Sequence, residues 1–230
     1  MGNRYWLWTG ARILVAAIVI LWAASYLGPG SGEKEFQKTL DAMKQVHSLR
    51  ASYTSNVSGN RTEALWELDC SRNILHYESH LVPADNPSQE ISDDELHIGG
   101  NEYHRKDGQW SKSAYAFRIP GSHNFCLRLA DGSDTGVLPP IANLIQHAIL
   151  EKGGKKTVNG VRCREWLVTT RNGPYFEHDT ICIGLDDHLP YEVATVGNLT
   201  HSSYSDYNKA IEFDVPEAAV QPANATSGTN

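Results

Sequence analysis

The spacing of apolar residues changes several times along the chain, and each change marks an element. Between Glu33 and Leu49 the residues Phe36, Leu40, Met43, Val46 and Leu49 recur every three or four positions, which is one face of a helix. Glu33 and Glu35 suit its first turn and Arg50 its end, because the helix dipole favours acids at the start and bases at the finish. From Ala51 the period falls to two. Ser52–Val57 and Glu63–Cys70 read as strands around Gly59-Asn60, with Ala64, Trp66 and Leu68 on one face. Asn73–Val82 continues the meander, and Pro83–Asp93 reads as a solvated acidic loop. Glu95–Ile98, Glu102–Arg105 and Gln109–Lys112 are short strands, with Gly99-Gly100-Asn101 and Lys106-Asp107-Gly108 as the turns between them.

A helical period returns after Pro139-Pro140. Ile141, Leu144, Ile145, Ala148 and Ile149 form an apolar stripe, which Gly153-Gly154 ends. Val161–Thr170 and Tyr175–Leu185 then make a hairpin about Asn172-Gly173. Tyr191–Val196 and Leu199–Tyr207 make another about Gly197-Asn198, and Lys209–Val215 is a last strand. Hairpins without helical crossovers give an antiparallel sheet. Two helices with one apolar stripe each need one apolar face to cover. The expected fold is α+β, a large twisted antiparallel sheet with both helices packed in its concave face. Residues 31–216 form its single domain, and 217–230 are small, polar and expected to be a disordered tail.

The N-terminus changes the picture from a domain to an exported domain. Met1–Arg12 holds two arginines and no acid, Ile13–Leu27 is an uncharged run of 15 residues, and Gly28-Pro29-Gly30 ends it. A basic flank stays in the cytoplasm, so the domain is expected on the other side of the membrane, in a periplasm or its equivalent. Two fates remain open. Ala23 and Ser25 have the spacing for signal-peptide cleavage before Tyr26. Alternatively residues 1–30 persist as a hydrophobic helix that anchors the domain, with Tyr5-Trp6-Leu7-Trp8 lengthening a run that is short of the ~20 residues a span needs. The first cysteine is Cys70, so there is no N-terminal lipobox.

The net charge is −7, and the part after the arginine-bearing segment is more acidic still. Phosphate backbones and anionic headgroups attract Lys and Arg clusters, so nucleic acid is excluded as a partner and acidic lipid surfaces are disfavoured. The four cysteines, Cys70, Cys126, Cys163 and Cys182, form no C-x-x-C pair and fit an oxidising compartment. In the hairpin about Asn172-Gly173, Cys163 and Cys182 fall opposite each other, close enough to bond. Cys70–Cys126 is then left by elimination.

Several stretches together resemble the LolA/LolB lipoprotein-carrier-like superfamily, including its LppX-type lipid-binding relatives. They begin with the helix Glu33–Leu49, Ser52-Tyr53 opening the first strand, the turn Ile98-Gly99-Gly100-Asn101-Glu102-Tyr103, and Trp110 after Asp107-Gly108. Next come Leu144–Lys152, which is similar to a middle helix, and Val158-Asn159-Gly160-Val161-Arg162-Cys163. The stretch Ile183-Gly184-Leu185-Asp186-Asp187-His188-Leu189-Pro190 and the closing Ser205-Asp206-Tyr207-Asn208 with Asp214-Val215-Pro216 complete the set. The resemblance implies an open half-barrel sheet capped by helices around an apolar cavity. It implies a non-enzymatic binder or carrier of acyl chains or lipidated proteins, with no cofactor. A membrane-tethered sensor or protein-interaction module with a filled core is the alternative, and an unrecognised hydrolase is the less favoured third reading. An acyl chain gains ~0.8 kcal/mol per buried methylene in such a cavity. Candidate lining residues are Leu65, Trp66, Leu68, Leu75, Tyr77, Ile98, Tyr103, Trp166, Val168, Ile181 and Ile183. Alternation says which of these share a face but not which face is the pocket.

Catalytic chemistry adds little. The chain has no G-x-S-x-G, H-E-x-x-H or P-loop, and Glu177 and Asp179 alternate on one strand face rather than flanking a sugar. His76 and His80, with Glu78 between them, and His123 near Cys126 lack the density of a zinc site. Asp85, Glu90, Asp93, Asp94 and Glu95 lack EF-hand spacing. No metal site is expected.

Overall fold

Turn chemistry sets the ladder. Ser58-Gly59, Asp107-Gly108 and Asn159-Gly160 all carry positive φ at both positions, the two-residue turn whose twist matches that of paired strands. A computed structural model describes residues 30–98, 100–113, 126, 138–172, 174–195, 197 and 199–216. The expected N-terminal hydrophobic helix, the tail 217–230 and His123 lie outside the described residues.

The described strands are β1 (Ser48–Val57), β2 (Asn60–Asp69), β3 (Ile74–Val82), β4 (Ile91–Ile98), β5 (Asn101–Lys106), β6 (Gln109–Lys112), β7 (Ile149–Val158), β8 (Val161–Asn172), β9 (Tyr175–Gly184), β10 (Pro190–Thr195) and β11 (Thr200–Ser205). They form one 11-stranded sheet in the order β6-β5-β4-β3-β2-β1-β11-β10-β9-β8-β7. All pairings are antiparallel, with two meanders meeting where β1 pairs with β11. The sheet is open and curved, a half-barrel with β6 and β7 at its edges.

Helix α1 (Ser31–Met43) and helix α2 (Ile141–His147) pack against each other and against β7 and β8. Phe36, Met43, Ile141 and Leu144 are buried between helices and sheet, together with Leu49, Ala51, Leu68, Trp166, Val168, Ile181, Ile183 and Tyr204. Gly32 sits where any side chain would collide with Leu150, 2.6 Å from its Cβ, so glycine lets α1 approach the edge strand.

Four boundaries differ from the sequence expectation. Helix α1 ends at Met43, not Leu49. The Gln45 and Val46 N–H groups donate to the Ala42 and Met43 carbonyls, and the His47 N–H donates to the Asn208 side chain at 2.8 Å. Val46 and Leu49 still bury, but as a turn and the first residues of β1. Helix α2 is a short segment, and Ile149–Lys152 pair with β8 instead of prolonging it. Gly153-Gly154 lie at an irregularity inside β7, where Arg164 donates to the Gly153 carbonyl at 3.0 Å.

Strand β4 begins at Ile91, so Asp93 and Asp94 belong to a ladder rather than to a loop. Residues 206–216 form no strand. Their alternating apolar side chains are satisfied by packing instead: Ile211 is buried, and Phe213 lies against the cluster of Ile74, Leu96 and Tyr103.

The hairpin register also moves. Asn172 pairs with Tyr175 and Cys163 with Gly184, so Cys163 and Cys182 are diagonal rather than directly opposite. Pro174 has no N–H and cannot close a bond to Arg171, which places it in the turn. The disulfide forms nonetheless, because diagonal neighbours share a face, and Gly184 opposite Cys163 adds no side chain. Its Cα–Cα distance is 5.6 Å. Cys70 bonds Cys126, with a Cα–Cα distance of 5.7 Å, fixing that residue at the end of β2.

Candidate functional site: the helix-bearing face of the sheet

The register carries one face across every strand. Trp166 pairs with Ile181, Val193 with Ser202, Tyr53 with Ala64, and Ser79 with Asp93, and these residues project with the helices. Trp166 marks the face directly, since its ring meets Phe36 of α1 edge-on at 5.9 Å between centroids.

Eight of the eleven candidate cavity residues therefore lie on this inner face: Trp66, Leu68, Leu75, Tyr77, Trp166, Val168, Ile181 and Ile183. Leu65, Ile98 and Tyr103 project from the outer face. There Tyr103 is buried against Ile74 and Leu96, and Ile98 packs on the same cluster. The inner eight divide again. Leu68, Trp166, Val168, Ile181 and Ile183 have at most 3% of their surface exposed, in the core that α1 and α2 help to build. Trp66, Leu75 and Tyr77 are only half-buried.

Tyr53, Trp66 and Tyr77 form a continuous aromatic row across β1, β2 and β3. Tyr53 meets Trp66 edge-on at 6.1 Å, and Trp66 meets Tyr77 tilted at 5.1 Å. Ala64 and Leu81 flank the row, and Leu68 and Leu75 pair beneath it. The two described helices make their main contacts at the β7–β8 side. Sequence reasoning omitted Tyr53, although it alternates with Ala51 in a period-two run.

Beyond Tyr77 the same face turns polar. Glu95 and His97 project from β4, and Glu102 and His104 from β5. This group escapes a sequence search because Glu95 and His104 are brought together only by the β4–β5 register.

His76 and His80, the pair with Glu78 between them, serve elsewhere. On the outer face His76 bridges Glu67 (3.0 Å) and Asp94 (2.9 Å), and Arg50 reaches Glu67 (2.6 Å) and Asp206 (3.1 Å). His80 meets Glu78 at 3.2 Å and Glu90 at 2.9 Å. It helps line an open cleft of about 360 Å³ with Arg61, Glu63 and Val82, whose polar walls are unsuited to an acyl chain.

The outer face of β8 and β9 is also polar. Lys156 bridges Glu165 (3.1 Å) and Glu192 (2.8 Å) across the buried Cys163–Cys182 bond. Burial works against that ammonium's charge, but the two carboxylates outweigh it and hold its pKa above the usual lysine value. On the inner side of β9, burial and the neighbouring Glu177 push the Asp179 carboxyl above its ordinary range. Burial also raises the hydroxyls of Tyr191, Tyr204 and Tyr207, and Tyr191 donates to Asp187 at 2.5 Å.

No protein-family model matches the sequence, and no curated protein matches it. Solved structures do. LprF from Mycobacterium bovis is 12% identical with a TM-score of 0.58, over 80% of this chain and 96% of that one. The MucA/MucB complex of Pseudomonas aeruginosa is 15% identical with a TM-score of 0.42, over 84% of this chain and 63% of that one. A LolA superfamily protein from Nitrosomonas europaea is 10% identical with a TM-score of 0.28, over 84% of this chain and 98% of that one. The likeness to LprF is one of fold, and the chain shares the fold of that protein.

Proposed function

We propose that this chain is a non-enzymatic, extracytoplasmic binding domain for acyl chains or lipidated proteins, and that the ligand lies along the inner face of the half-barrel. The observation that carries this reading is the row Tyr53–Trp66–Tyr77: three large rings in contact, half-exposed, on the helix-bearing side of an open sheet. Water against such a surface is costly. An acyl chain laid along it would gain about 0.8 kcal/mol for each methylene removed from water, and the row needs no directional partner. A further observation agrees. The two disulfides fit an oxidising compartment, as does the basic-then-apolar N-terminus.

The test is binding of a fluorescent fatty acid to the purified chain, with mass spectrometry of lipid that co-purifies. Saturable binding is expected, weakened about tenfold or more in Trp66→Ala, because a fully buried ring contact is worth a few kcal/mol. A lipid-free protein that ignores the probe, or a Trp66→Ala variant that binds equally well, would count against it.

A second reading rests on a different feature. Under α1 and α2 the inner face is closed to solvent, with Val168 and Ile183 fully buried. A membrane-tethered sensor or protein-interaction module needs only that rigid core. A partner recovered by crosslinking to the outer face, with no lipid bound, would favour it.

A further inference from the structure

We propose that Asp93, Glu95 and His104 form a zinc-binding site on the inner face of the sheet, with Glu102 orienting the histidine. This does not rest on the acyl-chain reading.

The geometry comes from two strands. Asp93 and Glu95 are two apart on β4 and so project from one face, and Glu95 pairs directly with His104 of β5. Nδ1 of His104 lies 3.8 Å from Oδ1 of Asp93 and 3.6 Å from Oε1 of Glu95. The three candidate ligand atoms lie within 4.8 Å of one another. Both histidine distances are too long for hydrogen bonds. They are near the spacing of about 3.4 Å between ligands of a tetrahedral zinc ion with bonds of ~2.0–2.2 Å. One imidazole and two carboxylates leave a fourth position open, as zinc sites with three protein ligands do.

The surrounding groups prepare the histidine. Glu102 accepts a hydrogen bond from Nε2 of His104 at 2.7 Å, and its side chain is only 12% exposed. A carboxylate there holds the ring proton on Nε2 and leaves the Nδ1 lone pair facing Asp93 and Glu95, which is the carboxylate–histidine–metal arrangement. The other oxygen of Glu95, Oε2, lies 3.4 Å from Nε2 of His97, which limits how that carboxylate can turn. The ligand side chains are 51%, 23% and 38% exposed for Asp93, Glu95 and His104, so an ion can enter from solvent.

The competing account is a cluster in which His104 serves only as a hydrogen-bond and ion-pair partner of the carboxylates, with no affinity for metal. Calorimetric titration of zinc alone into the untagged full chain, after chelator dialysis and near neutral pH, separates the two. The expected result is one zinc per chain. Affinity should fall at least about tenfold in His104→Ala and in Glu95→Gln, and about tenfold in Glu102→Gln, where only the orienting group is lost. His80→Ala, on the outer face, should bind as the wild type does. Circular dichroism of each variant confirms folding, and Glu95→Gln serves alone if His104→Ala does not fold. No zinc uptake at about 100 µM metal overturns the proposal, as does equal affinity in folded His104→Ala or Glu95→Gln. Uptake that depends on His80 overturns it too.

Discussion

Phe36 is the side chain that fixes α1 to the sheet, and its removal has a calculable cost. None of its surface is exposed (0%), and its ring stands edge-on to Trp166 at 89° and 5.9 Å. Phe36→Ala removes a fully buried ring from a site walled by α2 and the sheet, where little can move in to fill the space. Such truncations cost about 3–5 kcal/mol, out of the ~5–15 kcal/mol that a domain holds in total. At ~2–4 °C per kcal/mol for a domain of this size, the melting temperature should fall by roughly 6–20 °C. Urea unfolding followed by circular dichroism gives the free energy, and an unchanged denaturant slope would show that the unfolded state is the same. Combining Phe36→Leu with Trp166→Leu should give a coupling of about 0.5–1.5 kcal/mol, the share due to the ring pair itself. Lys38→Ala, on the solvent side of the same helix and 57% exposed, should change stability by less than ~0.5 kcal/mol. A Phe36→Ala loss below about 1 kcal/mol, or strict additivity of the two Leu substitutions, would refute the seating of α1 on Trp166.

Three further outcomes are expected. The Cys70–Cys126 bond spans 56 residues and Cys163–Cys182 spans 19, so loop entropy assigns them about 4 and 3 kcal/mol. Urea midpoints of the two Cys→Ala pairs should rank in that order, and the reverse order would refute the entropic account. Asp179 has a raised folded pKa, so its penalty is absent at low pH, grows as pH rises from the ordinary carboxylate value of about 3.9 through the folded value, and is constant above. Asp179→Asn should therefore melt higher than wild type at pH 8 but level with it near pH 3; a constant gap across pH would refute this. A Cβ at Gly184 would come 2.1 Å from Oδ1 of Asp187 and 2.9 Å from the Tyr191 ring. Asp187 accepts from the Leu189 N–H and the Tyr191 hydroxyl, so Gly184→Ala should cost ~1–3 kcal/mol in a thermal melt, and a neutral substitution would show that the turn adapts freely.

The hairpins are legible in the sequence because they rest on local turn residues. Asn159-Gly160 and Asp107-Gly108 force tight turns whatever surrounds them. The helix ends are less legible because tertiary bonds decide them. Val46 and Leu49 keep the helical spacing yet belong to a turn and a strand, since β1 gains a ladder with β2 from Ser48 onward. Ile149 and Leu150 continue the α2 stripe but are recruited by Thr169 and Val168. The disulfide Cys163–Cys182 is expected from a register that is off by two, which keeps both cysteines on one face. An error of one would have put them on opposite faces. The aromatic row is visible as Trp66 and Tyr77 but not as a row, because contact between them depends on pairing.

The polarity of the sheet explains why a single set of apolar strand residues divides between two faces. At β8 and β9 the inner face is apolar, with Trp166, Val168, Ile181 and Ile183, and the outer face carries Lys156, Glu165 and Glu192 close by. At β4 and β5 the order is reversed: Glu95, His97, Glu102 and His104 project inward, and Leu96 and Tyr103 outward. The apolar side of one continuous sheet thus crosses over near β3, where Leu75 and Tyr77 face inward while Ile74 faces out. Each apolar side needs its own cover. The helices supply one at the β7–β8 end, and the extended segment after β11 supplies the other through Phe213, with Arg72 stacked on that ring at 4.9 Å. Between the two covers the inner face passes from aromatic to charged within two strands. An amphipathic ligand laid there would meet apolar and polar surface in succession, so its orientation along the sheet would be set by the same crossover that the chain needs in order to fold.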